Sequence, residues 1–442
     1  MKKIITLVAV LATLTVSTAT AQKVNEAAFK AKLEKSNLDI ENAKKAAKSA
    51  TWYNRAKLCA DAIIEPTKNL FSGLDANMLT MSLGAEPVEV KDGVYSFEWV
   101  DVHTKDGKVS SWSLKRDVLP NAYEIALEAF AKAYELDPAS APKVKAAADA
   151  LINYYSELGS ASLDMADYKK AIDSYLKAVE LQKNPAIGKV DPRYYFFAGQ
   201  LAAFLGAQEA NYFEDGEKYL NEALKLDYKD EQGNLYYFLF HCYYGQRTKQ
   251  GYLEKAKNAL LEGIEKYPRN ERIMEGLIQL YTSEEGIGNP ADLVERIDKL
   301  LVEKQDNVDL WFARGQVFFK LKNFDECITS FLKINELKPN DYDTNFYLGY
   351  FYMAKGDEAN RAFNSRLDSI SSQEEYEAGL KEVNATYMKS LPWLETAMEV
   401  KPESVDCAEY LKSLCFRLRN EEGMMDKYNK YNAIYKKLKG IQ

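Results

Sequence analysis

Histidine is almost missing from this chain: His103 and His241 are the two in 442 residues. So few imidazoles leave little material for zinc sites, proton relays or nucleophile–histidine pairs. No HExxH, phosphate-binding loop or GxSxG stretch occurs. Cysteine is sparse as well. Cys59, Cys242, Cys327, Cys407 and Cys415 are odd in number, irregularly spaced and free of any CxxC, which speaks against a disulfide framework or a metal site. Cys407 and Cys415 share one predicted helix, roughly 12 Å apart by helical rise, too far for a disulfide. The cysteines read as small buried residues at helix crossings. Past the N-terminus there is no apolar run long enough to span a bilayer. Positive charge is in deficit, 58 Lys and Arg against 66 Asp and Glu, which argues against nucleic acid and anionic lipid surfaces as partners. The chain is read as non-enzymatic, with no catalytic residue, cofactor or metal.

What is present is a folding composition, 47% apolar and 28% charged, with 30 tyrosines. Lys2 and Lys3 precede an apolar run from Ile4 to Val16 and then Ser17-Thr18-Ala19-Thr20-Ala21. This reads as a secretory signal cut after Ala21. No cysteine sits at the junction, so no lipoprotein anchor is expected. The expected address is periplasmic or secreted. Cleavage removes two lysines and no acid, taking the net charge from −8 to −10.

The most regular stretch is Val308–Asp341. Trp311, Gly315 and Phe318 mark one helix; Phe324, Cys327, Phe331 and Ile334 mark a second; Pro339 closes the unit. Large and small residues alternate where two helices must cross closely. The pattern resembles a tetratricopeptide repeat. The same spacing recurs at Tyr155, Leu158 and Gly159 with Tyr168, Ala171, Tyr175 and Ala178; at Tyr195 and Gly199 with Gly216, Leu220 and Ala223; and at Leu348-Gly349 and Tyr352 with Leu394, Ala397 and Pro402. About eight such units fit. The resemblance implies an all-α fold, a right-handed superhelix or α-solenoid of helix–turn–helix repeats. The expected layout is a signal peptide at 1–21, a leading helix at 22–50, a first repeat at 51–140, an array at 141–341, an interrupted repeat at 342–404 and a degenerate cap at 405–442.

Two interruptions are informative. Between the first repeat's halves, Asp92-Gly93 and Asp106-Gly107 are hairpin turns between strand-like runs. They predict a three-stranded β-meander over about 86–116, with Val90 facing Tyr95, Trp99 facing Leu114 and Asp101 facing Trp112. Its apolar face packs on the first helices, or it offers a partner platform and an edge strand. Over about 357–389, Tyr376, Leu380, Val383 and Tyr387 recur at helical steps, predicting an elongated helical hairpin.

In such repeats the first helices line a groove. The groove candidates are Phe196, Gln200, Tyr237, His241, Phe312, Gln316, Phe319, Phe346, Tyr350 and Met353. Aromatic walls with a few amides suit extended peptides; packing between repeats is the alternative for each ring. One subtype of the family clamps a C-terminal carboxylate with lysines and asparagines, but the matching positions here hold Phe312, Gln316, Phe346 and Tyr350. The resemblance therefore implies a protein-binding scaffold or chaperone-like adaptor for protein or peptide partners in the cell envelope. The alternative is an accessory binder of a small molecule or glycan at the aromatic cluster Tyr237–Tyr244. The style of the chain is similar to exported tetratricopeptide proteins of Bacteroidota. On that resemblance, Asp368-Ser369-Ile370 matches that phylum's three-residue O-glycosylation site, with Ser369 as acceptor.

Overall fold

The computed structural model describes residues 24–440; the signal segment read at 1–21 lies outside them. The chain forms two compact units, one ending at Tyr228 and the other beginning at Lys229. Each is a stack of paired antiparallel helices, an α-solenoid, and the first also carries a small sheet.

The first unit opens with α1 (Glu26–Glu41) and α2 (Ala43–Ala46). A single leading helix was the expectation. Asn42 breaks it, because its extended backbone lets the side chain accept hydrogen bonds from the Lys44 and Lys45 N–H groups, a capping geometry that asparagine favours over continuing a helix. Next come α3 (Ser49–Ile64), the short α4 (Leu79–Leu83), the sheet, and α5 (Ala122–Leu136), which packs back on α3 across the insertion. Two further pairs follow: α6 (Ala141–Asp164) with α7 (Tyr168–Gln182), and α8 (Pro192–Gly206) with α9 (Tyr212–Lys225). Small residues let these helices touch. A Cβ on Gly199 would lie 2.6 Å from Leu220 Cγ, closer than side chains ever pack.

The sheet has four strands, not three: β1 (Glu89–Lys91), β2 (Val94–Ser96), β3 (Val100–Lys105) and β4 (Lys108–Leu114), antiparallel in sequence order. The extra strand arises because the chain turns at Glu98-Trp99, where the Phe97 N–H donates to the Val100 carbonyl at 2.8 Å. The turn also moves Val100 and Val102 onto the buried face beside Phe97. A bulge at His103/Thr104 then shifts the last pairing by one residue, so Val100 faces Leu114 and Val102 faces Trp112. A one-residue shift exchanges the faces of every side chain beyond it. The face so formed is covered by Leu70, Leu74, Ala76 and Leu79, with Ala161 of α6. Trp99 instead joins the core of α3, α5 and α6, with the Arg116 guanidinium 3.6 Å from its ring centre.

The second unit holds α10 (Asn234–Gly245) with α11 (Tyr252–Lys266), then α12 (Glu271–Ser283), α13 (Pro290–Glu303), and α14 (Val308–Lys320) with α15 (Phe324–Leu337). The aromatic helix α10 places Cys242 in the core, fully buried. α16 (Tyr342–Asn364) runs past the length of its neighbours, α17 (Gln373–Met388) returns along it, and α18 (Leu391–Val400) is the delayed second helix. Phe363, Val383 and Tyr387 bury the contact between α16 and α17. α19 (Val405–Arg417) and α20 (Met424–Lys439) close the unit. A Cβ on Gly315 would lie 2.5 Å from Phe331 Cε2, so the α14–α15 crossing depends on glycine.

Candidate interaction face

The first helices α14, α16 and α19 of the second unit bring a row of rings together. Each helix starts at a polar cap that sets its register. Asn307 accepts from the Asp309 and Leu310 N–H groups, Asp341 from Thr344 and Ser404 from Cys407. With the starts set, Phe319 of α14 meets Tyr350 of α16 with ring centres 5.6 Å apart. Tyr350 meets Tyr410 of α19 edge-on at 5.6 Å. Tyr410 meets Phe346 at 5.5 Å, also edge-on, and Phe346 stacks on Tyr342 at 5.8 Å. Met353 lies one turn beyond Tyr350 on α16. All six side chains are half-buried: the rings brace one another along their edges and keep part of their surface in solvent, at separations typical of favourable aromatic pairs.

Polar groups anchor the ends of this row. The Tyr342 hydroxyl and the Ser404 hydroxyl are 2.6 Å apart, and the Lys401 ammonium lies 4.9 Å from the Tyr342 ring centre. Burial pushes the Tyr410 phenol upward, with Tyr350, Asp406 and Glu409 adding to it, so it is a neutral donor at neutral pH. Lys320 of α14 pairs with Glu275 of α12 at 2.6 Å, and Arg269, just before α12, pairs with Asp309 of α14 at 2.5 Å.

The other sequence candidates are placed differently. Phe312 and Gln316 are buried; Phe312 packs on Phe331 and Tyr347 inside the stack. In the first unit Phe196 is buried and stacks on Tyr228 at 4.5 Å. These three serve packing and do not present a groove surface. Gln200 is half-buried on α8. Tyr237 and His241 form a separate half-buried pair on α10, edge-on at 4.4 Å. The Arg272 guanidinium lies 5.8 Å from the Tyr237 ring centre. Burial lowers the His241 pKa, so its imidazole stays neutral at neutral pH. Ser369 is exposed on the turn Leu367–Ser369 after α16, its hydroxyl donating to the Arg366 carbonyl. Tyr410 was not among the candidates. It precedes Leu411 of the core, the same offset that singles out Phe312 before Ala313, but the last unit is too irregular for its crossing position to be read from spacing. Among the described residues no group of three or more His, Cys, Asp or Glu is placed to hold a metal ion.

The tetratricopeptide repeat model matches residues 152–185 and 308–341, which are α6–α7 and α14–α15. A TPR repeat-containing protein of Methanocaldococcus jannaschii is 25% identical over 232 residues, covering 50% of this chain and 37% of that protein. The chain thus spans under half the length of that relative. Among solved structures, a TPR repeats protein from Bacteroides fragilis is similar at 17% identity over 60% of this chain and 97% of its own, with a TM-score of 0.26. The C-terminal part of a TPR repeat-containing protein from Cytophaga hutchinsonii is similar at 14% identity over 66% and 96%, with a TM-score of 0.34. Residues 152–185 and 308–341 of the chain are thus similar to tetratricopeptide repeats. Tetratricopeptide repeats in general support protein interaction.

Proposed function

We propose that the chain is an exported, non-enzymatic scaffold or chaperone-like adaptor. In this reading it holds an extended segment of a partner protein in the cell envelope, on the face made by Phe319, Phe346, Tyr350, Met353 and Tyr410. The observation that carries the reading is the row of half-buried rings on three successive first helices, with centres 5.5–5.6 Å apart from Phe319 to Phe346. Rings held this way by their neighbours lose little rotamer freedom on binding, the condition under which aromatic residues dominate interfaces. Export rests on Met1–Ala21.

The test is affinity capture from envelope extracts with wild-type protein and with Tyr350→Ala/Tyr410→Ala. Truncating a binding hot spot costs about 2 kcal/mol, so the double variant is expected to lose its partners while keeping its helical content. Retention of every partner by the variant rejects this face. A second reading uses α10, where Tyr237 is half-buried between His241 and Arg272. A thermal shift with an oligosaccharide and none with peptides would favour it.

A further inference from the structure

The buried face of the sheet runs out uncovered at its first strand. Val102 and Trp112 are 0% and 4% exposed, whereas Val90 on the same face is 54% exposed and Val88, just before β1, is 79% exposed. β1 is the end strand, and among the described residues no strand pairs with its outer side. The direction of its backbone groups follows from the turn. Asp92 and Gly93 have φ of 49° and 79° and form a two-residue loop between Lys91 and Val94, the hairpin type in which the closing pair is hydrogen-bonded. Bonding alternates along an antiparallel ladder, so Val90 and Tyr95 are a non-bonded pair. Tyr95 gives its N–H and C=O to β3, where the bonds Phe97 N–H to Val100 and Thr104 N–H to Gly93 show the same alternation. The Val90 N–H and C=O therefore point outward.

We propose that β1 pairs with β1 of a second copy of the chain, antiparallel and centred on Val90, so that two four-stranded sheets join into one. The edge reads Glu89-Val90-Lys91, and this order is self-complementary. Antiparallel pairing about Val90 sets Glu89 opposite Lys91 of the second copy, Lys91 opposite its Glu89, and Val90 opposite its Val90, with the two outward N–H groups and two outward carbonyls bonding reciprocally. A lysine on an edge normally discourages pairing with other chains; the glutamate two residues before it makes a second copy the strand that this edge accepts. Opposite charges directly across strands are favourable. Pro87 falls opposite Gly93 of the second copy, beyond the bonded residues, where its missing N–H costs nothing. The strand is three residues long, so the dimer is weak and concentration-dependent, below the size class of permanent interfaces.

Sedimentation equilibrium of the full chain, from micromolar to near-millimolar concentration, tests this. Wild type is expected to pass from monomer to dimer. Val90→Pro removes an N–H that the chain's own sheet does not use, at an edge position where proline is tolerated, so it should stay monomeric with its circular dichroism retained. Glu89→Lys and Lys91→Glu each place like charges across both symmetry-related contacts and should weaken the dimer about tenfold or more. An equimolar mixture of the two reversals should restore it, because the edge of one variant then carries two positive charges and the edge of the other two negative ones. The charge exchange decides the matter if the proline variant melts early. A wild type that remains monomeric throughout overturns the proposal. So does a dimer that tolerates both reversals, or a mixture no stronger than its components.

Discussion

Replacing Gly315 by alanine isolates the contact on which the most regular repeat depends. A methyl group there would sit 2.5 Å from Phe331 Cε2, 2.7 Å from Cδ2 and 3.3 Å from Ser330 Cβ, against a comfortable carbon–carbon separation of roughly 3.5–4.0 Å. The ring would have to retreat by about 1 Å, and it has nowhere to go. It is 1% exposed and touches Phe312, Tyr347 and Phe351 with centres 5.5, 5.5 and 4.8 Å away. Overpacking of this kind costs about 1–3 kcal/mol, here at the upper end. Alanine returns about 1 kcal/mol through helix propensity, so the net expectation is a loss of about 2 kcal/mol. Gly276 on α12 is the control, since its added Cβ would meet only the Leu260 methyl tips at 3.3 and 3.5 Å and Phe240 at 3.5 Å; Gly276→Ala should match wild type or exceed it by up to about 1 kcal/mol. Stacked repeats do not unfold as one unit, so the measurement is amide hydrogen exchange of α14 and α15 by mass spectrometry. Adding Phe331→Leu to Gly315→Ala should cost less than the two single losses together. An alanine variant as protected as wild type, or strict additivity with Phe331→Leu, would refute the close-crossing argument.

Three further outcomes are expected. Arg314, with a side chain 14% exposed, donates to Asp298, Ser330 and Glu326 at 2.8, 2.9 and 2.9 Å and lies 4.6 Å from the Phe318 ring centre. Arg314→Met should destabilise α14–α15 by about 1–3 kcal/mol, and Arg314→Lys should recover under half of that because an ammonium cannot reach three acceptors in the same fork; amide hydrogen exchange of α14 and α15 in the three proteins decides it. Asn42→Ala should cost about 1 kcal/mol locally, seen as faster exchange of the Lys44 and Lys45 amides and no change in α14. Burial pushes the Cys59 and Cys415 thiols up to about 11 and the Cys407 thiol up to about 12. Groups held protonated by the fold contribute stability that is complete below the thiol's ordinary pKa and is lost as pH rises through the folded value. Stability should therefore decline from about pH 9 upward, and thiolate absorbance at pH 9 should appear only on adding denaturant; thiolate absorbance in the native protein at that pH would contradict the burial.

The sequence candidates divided according to how far their surroundings were local. Phe319, Phe346, Tyr350 and Met353 are half-buried at positions whose offset from the crossing glycines is a property of one helix. Phe312 and Gln316 share that offset on α14 and are buried instead; over Phe312 lies Tyr347 of the next helix pair. Phe196 is lost to packing in the same way through Tyr228. Tyr410 went unread because an irregular unit hides its own crossing position.

By itself the sequence determined the repeat: a period of large and small residues that only close antiparallel helix pairs satisfy, and two Asp-Gly turns that only hairpins satisfy. These are contacts between residues a few positions apart, so spacing carries them. Tertiary structure decided what spacing cannot carry. The bulge at His103/Thr104 and the turn at Glu98-Trp99 set which side of the sheet is buried, because each depends on how the sheet seats against Leu70, Leu74 and Ala161. Whether a ring on a first helix faces solvent or the core depends in the same way on the helix laid down after it.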